Sequence, residues 1–318
     1  MTSPFQASSS NSSGIRDLIR HNQDKKSFRK TIEVWIPRFL FLLASLSVLT
    51  TVGILIILLT EAIEFFKTVP ILDFFTGTVL KPLSQTPAFG ILPLVMGTLV
   101  SSGIAILVAG PIGLMAAIYL SEYASRRVRS VLKPALELLA GVPTIVYGFF
   151  AFTFVTPLLR QWIPSLEATN ILSPGLVMGV MIIPMIASLS EDAMRSVPQA
   201  MREGSAALGS TKLETALKVV VPAALSGIIA SFVLGISRAL GETMIVAIAS
   251  GSSKNFSFDV TESMQTMTAY IVEVTSGDAA AGSTVYYSLY AVAMTLFATT
   301  LLMNLLAGKI ARKFREVY

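Results

Sequence analysis

Two charges set four residues apart inside an apolar segment are the residues of this chain best suited to chemistry. Arg238 and Glu242 interrupt the run from Pro222 to about Ser250, which is otherwise uncharged and long enough to cross a bilayer. On a continuous helix, residues four apart share a face and can pair. Each charge costs about 2.5–3.5 kcal/mol at mid-membrane on insertion scales, so such residues face a cavity or the bundle interior. A guanidinium presents a planar fork of donors and stays charged, which suits a tetrahedral oxyanion. Two roles are open to the pair. It locks helix packing as a buried ion pair, or Arg238 contacts an anion in transit and Glu242 holds it in place between passages. Ser231 and Gly235 fall on the same face and leave room beside the charges. Ala223, Gly227, Ser231, Gly235, Ala239, Thr243 and Ala247 also form a ridge of small side chains at four-residue spacing, which allows close helix approach.

Little else in the chain offers catalysis. There is no cysteine, hence no disulfide, thiol nucleophile or thiolate metal site. The one histidine, His21, lies in a polar N-terminal stretch, which excludes a histidine-based metal site or triad. No GxxxxGK[ST] phosphate-cradling loop occurs, so ATP, if used, is hydrolysed by another chain.

The elements that must position Arg238 and Glu242 are membrane helices. Of 318 residues 53% are hydrophobic and only 14% charged, with mean hydropathy +0.71; a soluble domain is nearer one quarter charged. The apolar residues cluster into runs at 39–60, 91–120, 138–159, 171–190, 222–250 and 285–308. The expectation is an all-α integral membrane protein with six transmembrane helices. The 30-residue second run is too long for an upright span and must tilt, bend or project, with Gly110, Pro111 and Gly113 offering a bend. Pro143 in the third reads as a packing kink or a hinge, and Pro184 sits near the end of the fourth. Residues 1–36 form a polar tail that opens with low-complexity SSSNSSG and is expected to be partly disordered. Residues 37–313 form the six-helix domain and 314–318 a short tail. No cleavable signal peptide is visible, because the first apolar run starts too late and is too long.

Nineteen of the 24 basic residues fall in the N-terminal segment up to Arg38, the loops at 126–133 and 195–218, and the C-terminal tail. The positive-inside rule then places both termini in the cytoplasm. Orientation is enough to explain the net charge of +5, and nucleic acid is not needed.

The loop at 196–221 is patterned as two short helices. Pro198 suits a first helical turn. Val197, Ala200, Met201, Gly204, Ala207 and Leu208 make one apolar, small-residue face. Gly209 fits a left-handed helix end, Thr211-x-x-Glu214 a capping box, and Pro222 the start of the fifth span. The pair either lies on the headgroups or docks a cytoplasmic partner.

The spacing here resembles the EAA loop of ABC-importer permeases: Glu203-Gly204-Ser205, three residues, Gly209, nine residues, then Val219-Val220-Val221-Pro222. The departures are Gly204 and Ser205 for two alanines, and Val219 and Val221 for Ile and Leu. GVPTIVYGFF (141–150) and SRALGETMIVAIASG (237–251) are similar to phosphate-importer permeases, of the PstC type more than the sister PstA type, for which an alanine-proline pair is expected after GET. The resemblance covers roughly Pro37 to Lys313.

It implies a MetI-like core from helices 2–6 in a bacterial inner membrane. It also implies a non-catalytic subunit that carries inorganic phosphate across the lipid bilayer with a sister permease PstA, two copies of the ATPase PstB and the periplasmic phosphate-binding protein PstS. ATP and Mg would be used by the ATPase and no cofactor bound by this chain. The loop residues Met201, Glu203, Gly204, Ser205, Ala206, Ala207, Gly209 and Pro222 would couple to the ATPase, and Arg238, Glu242, Ser231 and Gly235 would line the substrate pathway. Two alternatives are a permease for another oxyanion and a secondary anion transporter. The latter normally carries more spans and its own coupling-ion residues. A membrane enzyme is disfavoured because no nucleophile–base set survives without Cys or usable His.

Overall fold

Long helices dominate because uncharged Leu/Ile/Val/Ala runs in lipid must satisfy every backbone group internally. The computed structural model describes residues 11–277 and 279–313. The expectations for residues 1–10 and for the 314–318 tail lie outside the described residues. The chain divides into two units, Met1–Ile57 and Leu58–Tyr318. α1 (Asn11–Thr68) contains the first span and exposes Leu42, Leu46 and Leu49. Of the 1–36 segment, expected to be partly disordered, the described part belongs to this helix. From Asn11 it is helical, because Ile, Leu, Arg, Lys and Gln favour a helix and no proline intervenes before Pro37.

In the second unit α2 (Ile71–Thr76) and a two-residue hairpin, β1 (Leu80–Lys81) paired antiparallel with β2 (Ala88–Phe89), occupy what reads in sequence as a loop. α3 (Leu92–Ile118) runs on through Pro111 without a break and ends in a π-turn at Tyr119–Tyr123. The length of the second run is thus taken up by a long helix and not by a bend at Gly110–Gly113. α7 (Leu172–Arg195) extends five residues beyond the expected Ser190. α14 (Thr284–Lys313) closes the described chain.

The third and fifth spans differ from the expectation of single helices. α4 (Arg126–Ala140) and the run formed by α5 (Thr144–Phe150), a π-turn and α6 (Thr156–Arg160) meet at 83°. Pro143 is no mid-helix kink. It stands as the N-cap of α5, because its missing N–H and extended ψ of 134° end one helix and start another. Leu138 accordingly belongs to α4, on the other side of the bend from the rest of the expected span. α8 (Gln199–Ala207), α9 (Lys212–Thr215), a π-turn and α10 (Val221–Ala223) lead to Ala224. There the chain turns by 74° into α11 (Leu225–Leu240), followed by α12 (Met244–Ala249). Among the described residues four helices are long and apolar enough to cross a membrane, and up to six spans result when each bent pair supplies one. The segment after α12, expected as a polar loop, folds back to place α13 (Met267–Ser276) against α12, α3 and α14. It buries Met267, Thr268 and Tyr270.

Packing between these helices relies on close approach, since lipid tails are as apolar as Leu. α3 and α7 form the most extensive helix pair. A Cβ on Gly179 would lie 2.8 Å from Val108 Cβ, and one on Gly113 2.9 Å from Ile186 Cβ. A core of Ala105, Met178, Ile182 and Ile245 joins α3, α7 and α12, and a second, with Phe65, Phe74, Leu94 and Tyr270, fills the end near the hairpin. A third joins Ala117, Met194, Val197, Val220 and Ile228 at the end where α8 lies.

Candidate functional site: a broken membrane helix and its surface loop

The small-residue ridge of α11 seats that helix against α7. A Cβ on Gly227 would come 2.4 Å from Ala193 Cβ, Ser231 Oγ lies 2.7 Å from Ser190 Oγ, and Gly235 faces Ile182 and Ile186. Ser231 and Gly235 are buried in this helix interface. Arg238 emerges at its rim, exposed, with Nη2 3.9 Å from Met181 Sδ.

The helix then stops. Leu240 is its last residue and Gly241 its C-cap, so Arg238 and Glu242 do not share a helix face as the four-residue spacing suggests. Among the described residues neither joins an ion pair. Glu242, only 6% exposed, turns its carboxylate onto the next helix. Oε1 accepts from the Met244 and Ile245 N–H groups at 3.1 and 3.4 Å. Those amides are among the donors a helix start leaves open, and an anion there is stabilised by the helix dipole. Thr268 Oγ1 donates to the Glu242 carbonyl at 2.8 Å, and the Met267 N–H to Thr98 Oγ1 at 3.0 Å, so the first turn of α13 braces the break. Lys254 Nζ pairs with Glu273 at 2.7 Å nearby. The result is a braced interruption carrying a guanidinium that no carboxylate among the described residues neutralises. Such a group can take a tetrahedral anion.

At the other site α8, a glycine corner and α9 form as patterned. Gly209 has φ +85°, and the Gly209 and Ser210 N–H groups donate to Ala206 and Ser205 carbonyls at 2.9 and 3.3 Å, closing a Schellman turn. Thr211 and Glu214 complete a reciprocal capping box. The backbone N–H of Thr211, followed by its hydroxyl and Lys218, holds the Glu214 carboxyl below its ordinary pKa. Pro198 is the N-cap of α8 and not within its first turn. The surface this loop presents is formed by exposed Glu203, Gly204, Ala206, Ala207 and Leu208, while Met201 and Ser205 turn inward, Ser205 Oγ lying 2.9 Å from Thr215 Oγ1. Pro222 is exposed two residues before the turn at Ala224 and belongs to the loop side of it. Leu208, 89% exposed, leaves the apolar face expected of it.

Sequence reasoning missed the ion pairs that hold this end together. Glu191, fully buried, faces Lys133 Nζ at 2.7 Å, Arg129 Nε at 3.4 Å and Arg195 Nη1 at 3.6 Å. Arg202 pairs with Glu122 at 3.1 Å. Arg195 is four residues from Glu191 on the same helix, but the other partners lie 58 to 80 residues apart, so spacing could not reveal them. The local signals were a carboxylate, Glu191, directly after an apolar run, and Arg195 four residues on. A cavity of about 890 Å³ beside α2 and the hairpin touches Asp73, Thr76 and Thr284 and includes no residue of either site.

Residues 109–316 match the family described as binding-protein-dependent transport system inner membrane component. The chain is 33% identical over 265 residues to the probable ABC transporter permease protein YqgH of Bacillus subtilis, covering 83% of this chain and 85% of that one. It is 35% identical over 246 residues to the phosphate transport system permease protein PstC 1 of Mycobacterium bovis, covering 71% and 73%. Its fold is similar to a chain of the MetNI methionine ABC transporter in inward-facing conformations, with TM-score 0.53 and 16% identity over 71% of this chain and 95% of that one.

Proposed function

The chain belongs to the binding-protein-dependent transport system inner membrane components, and on that footing we propose that it is the PstC-type membrane subunit of an ATP-driven phosphate importer. The observation that carries this reading is Arg238, an exposed guanidinium at a break in a membrane helix with no ion-pair partner among the described residues. Inorganic phosphate supplies the missing negative charge as it passes. The phosphate assignment draws on the names of relatives such as PstC 1.

In this reading the chain forms the pathway with a sister permease of the PstA kind. Of the two PstB ATPases beneath the permease pair, one docks on α8 and its glycine corner, and PstS delivers phosphate from the opposite face. The exposed edge of Glu203, Gly204, Ala206 and Ala207 is the surface offered to the ATPase. ATP and Mg belong to that partner, and this chain has no catalytic role and binds no cofactor. The distribution of basic residues supports cytoplasmic termini, and the family supports a multi-pass protein of the inner membrane.

Glu242 acts in this scheme as the cap that starts α12 and fixes the break, and so holds Arg238 in place indirectly. The test is uptake of labelled phosphate by cells lacking other phosphate importers. Arg238→Gln should abolish most uptake while pull-down shows the complex assembled. Parental uptake by that variant would remove Arg238 as a phosphate contact.

A further inference from the structure

We propose that Arg202 and Glu122 are positioning residues that fasten α8 to the α3–α7 helix pair and thereby carry motion of the surface loop into the membrane. The inference rests on the reading of α8 as the ATPase docking element. Arg202 lies in α8 beside Glu203 but points the other way, into the protein, and its side chain is only 17% exposed. Its Nε and Nη2 donate to the two oxygens of Glu122 at 3.2 and 3.1 Å. Glu122 sits in the π-turn that ends α3, is 11% exposed and is oriented by the Ser121 hydroxyl at 2.7 Å. The remaining donors of the same guanidinium reach the end of α7: Nη2 donates to the Met194 carbonyl at 2.8 Å, and Nη1 to the Val197 carbonyl just beyond it at 2.7 Å. One side chain thus joins the coupling helix, the end of α3 and the end of α7.

One bidentate carboxylate contact and two carbonyl bonds on a largely buried guanidinium are strong and geometrically demanding, which a lysine could not reproduce. The helices so joined are the most extensively packed pair in the molecule, held by glycine-mediated close contact. The alternative route from α8 runs through α9 and α10 to α11 and crosses the 74° turn at Ala224. Densely packed helices move as a body, whereas a turn absorbs displacement. α8 joins α7 through the chain itself at Ser196–Pro198, and the direct link from α8 to the end of α3 passes through Arg202.

The experiment uses the complete complex in proteoliposomes with phosphate-loaded binding protein, and reads phosphate transported per ATP hydrolysed. Arg202→Met and Glu122→Gln should each lower that ratio about tenfold, within the usual range of coupling between sites, with subunit stoichiometry unchanged. The exchange Arg202→Glu with Glu122→Arg should recover part of the ratio. Glu122→Gln leaves the Arg202 bonds to Met194 and Val197 available, so it assembles even where Arg202→Met does not. An unchanged ratio in Glu122→Gln overturns the inference alone. A parent complex whose ATP hydrolysis ignores phosphate-loaded binding protein overturns the functional reading and this inference together.

Discussion

Replacing Gly209 isolates a single physical effect. Its φ of +85° lies in the left-handed region, and a Cβ built there meets nothing within 4 Å. Substitution to alanine therefore adds no clash; what it adds is the backbone penalty of an L-residue in that conformation, about 1–2 kcal/mol. That corresponds to a fall of about 5–30-fold in the ratio of native to altered corner. The corner sets the angle between α8 and α9, so the ATPase should lose its seat without any change in the membrane helices. Asparagine tolerates the left-handed region better than alanine, because its side chain hydrogen-bonds locally. The expected order is Gly209, then Asn, then Ala, with Val below Ala because branching at Cβ restricts the backbone further. The assay is the amount of ATPase retained on the purified membrane subunits, together with phosphate uptake. Alanine and asparagine variants that behave alike, whether both parental or both inactive, would refute the conformational argument.

Neutralising both members of the charged pair, Arg238→Gln with Glu242→Gln, should not restore uptake over Arg238→Gln alone, since Glu242 caps α12 and balances no arginine; recovery in the uptake assay would revive the ion pair. Glu242→Leu, which removes the acceptor, should impair uptake far more than Glu242→Gln, whose amide oxygen can still receive the Met244 and Ile245 N–H groups. Glu191→Gln should destabilise the detergent-purified complex in a melt by about 1.5–3 kcal/mol, because it removes the charge that Lys133, Arg129 and Arg195 share while Lys133 keeps Asp192. Asp192→Asn, at a side chain 57% exposed, should cost under about 1 kcal/mol in the same melting measurement. Gly227→Ala should destabilise by about 1–3 kcal/mol through overpacking against Ala193, and adding Ala193→Gly should return most of it in the melt.

What was legible in the sequence was whatever depends on neighbours along the chain. The spans follow from uninterrupted apolar runs, and the loop geometry from Gly209 and the Thr211–Glu214 spacing. The ridge from Gly227 to Ala239 announces close packing, though not the partner, which is α7. Ser231 and Gly235 read as room beside a charge, yet the space they leave is filled by Ser190, Ile182 and Ile186. The Arg238–Glu242 pairing failed because it assumed a helix that continues past Leu240, and at Gly241 it does not. The bends at Pro143 and Ala224 were hidden because each lies inside an apolar run, where hydropathy gives no sign of direction. Arg202 with Glu122 and Lys133 with Glu191 are set by the fold, and in a count of basic residues they serve only to mark a side of the membrane.

The decisive measurement is phosphate accumulation in proteoliposomes that hold this chain with its sister permease and ATPase, with phosphate-loaded binding protein on the outer face and ATP inside. A PstC-type subunit should support accumulation only when ATP, ATPase and binding protein are all present, and should lose it in Arg238→Gln. Accumulation driven by an ion gradient with the ATPase left out would contradict the reading and place the chain among secondary transporters.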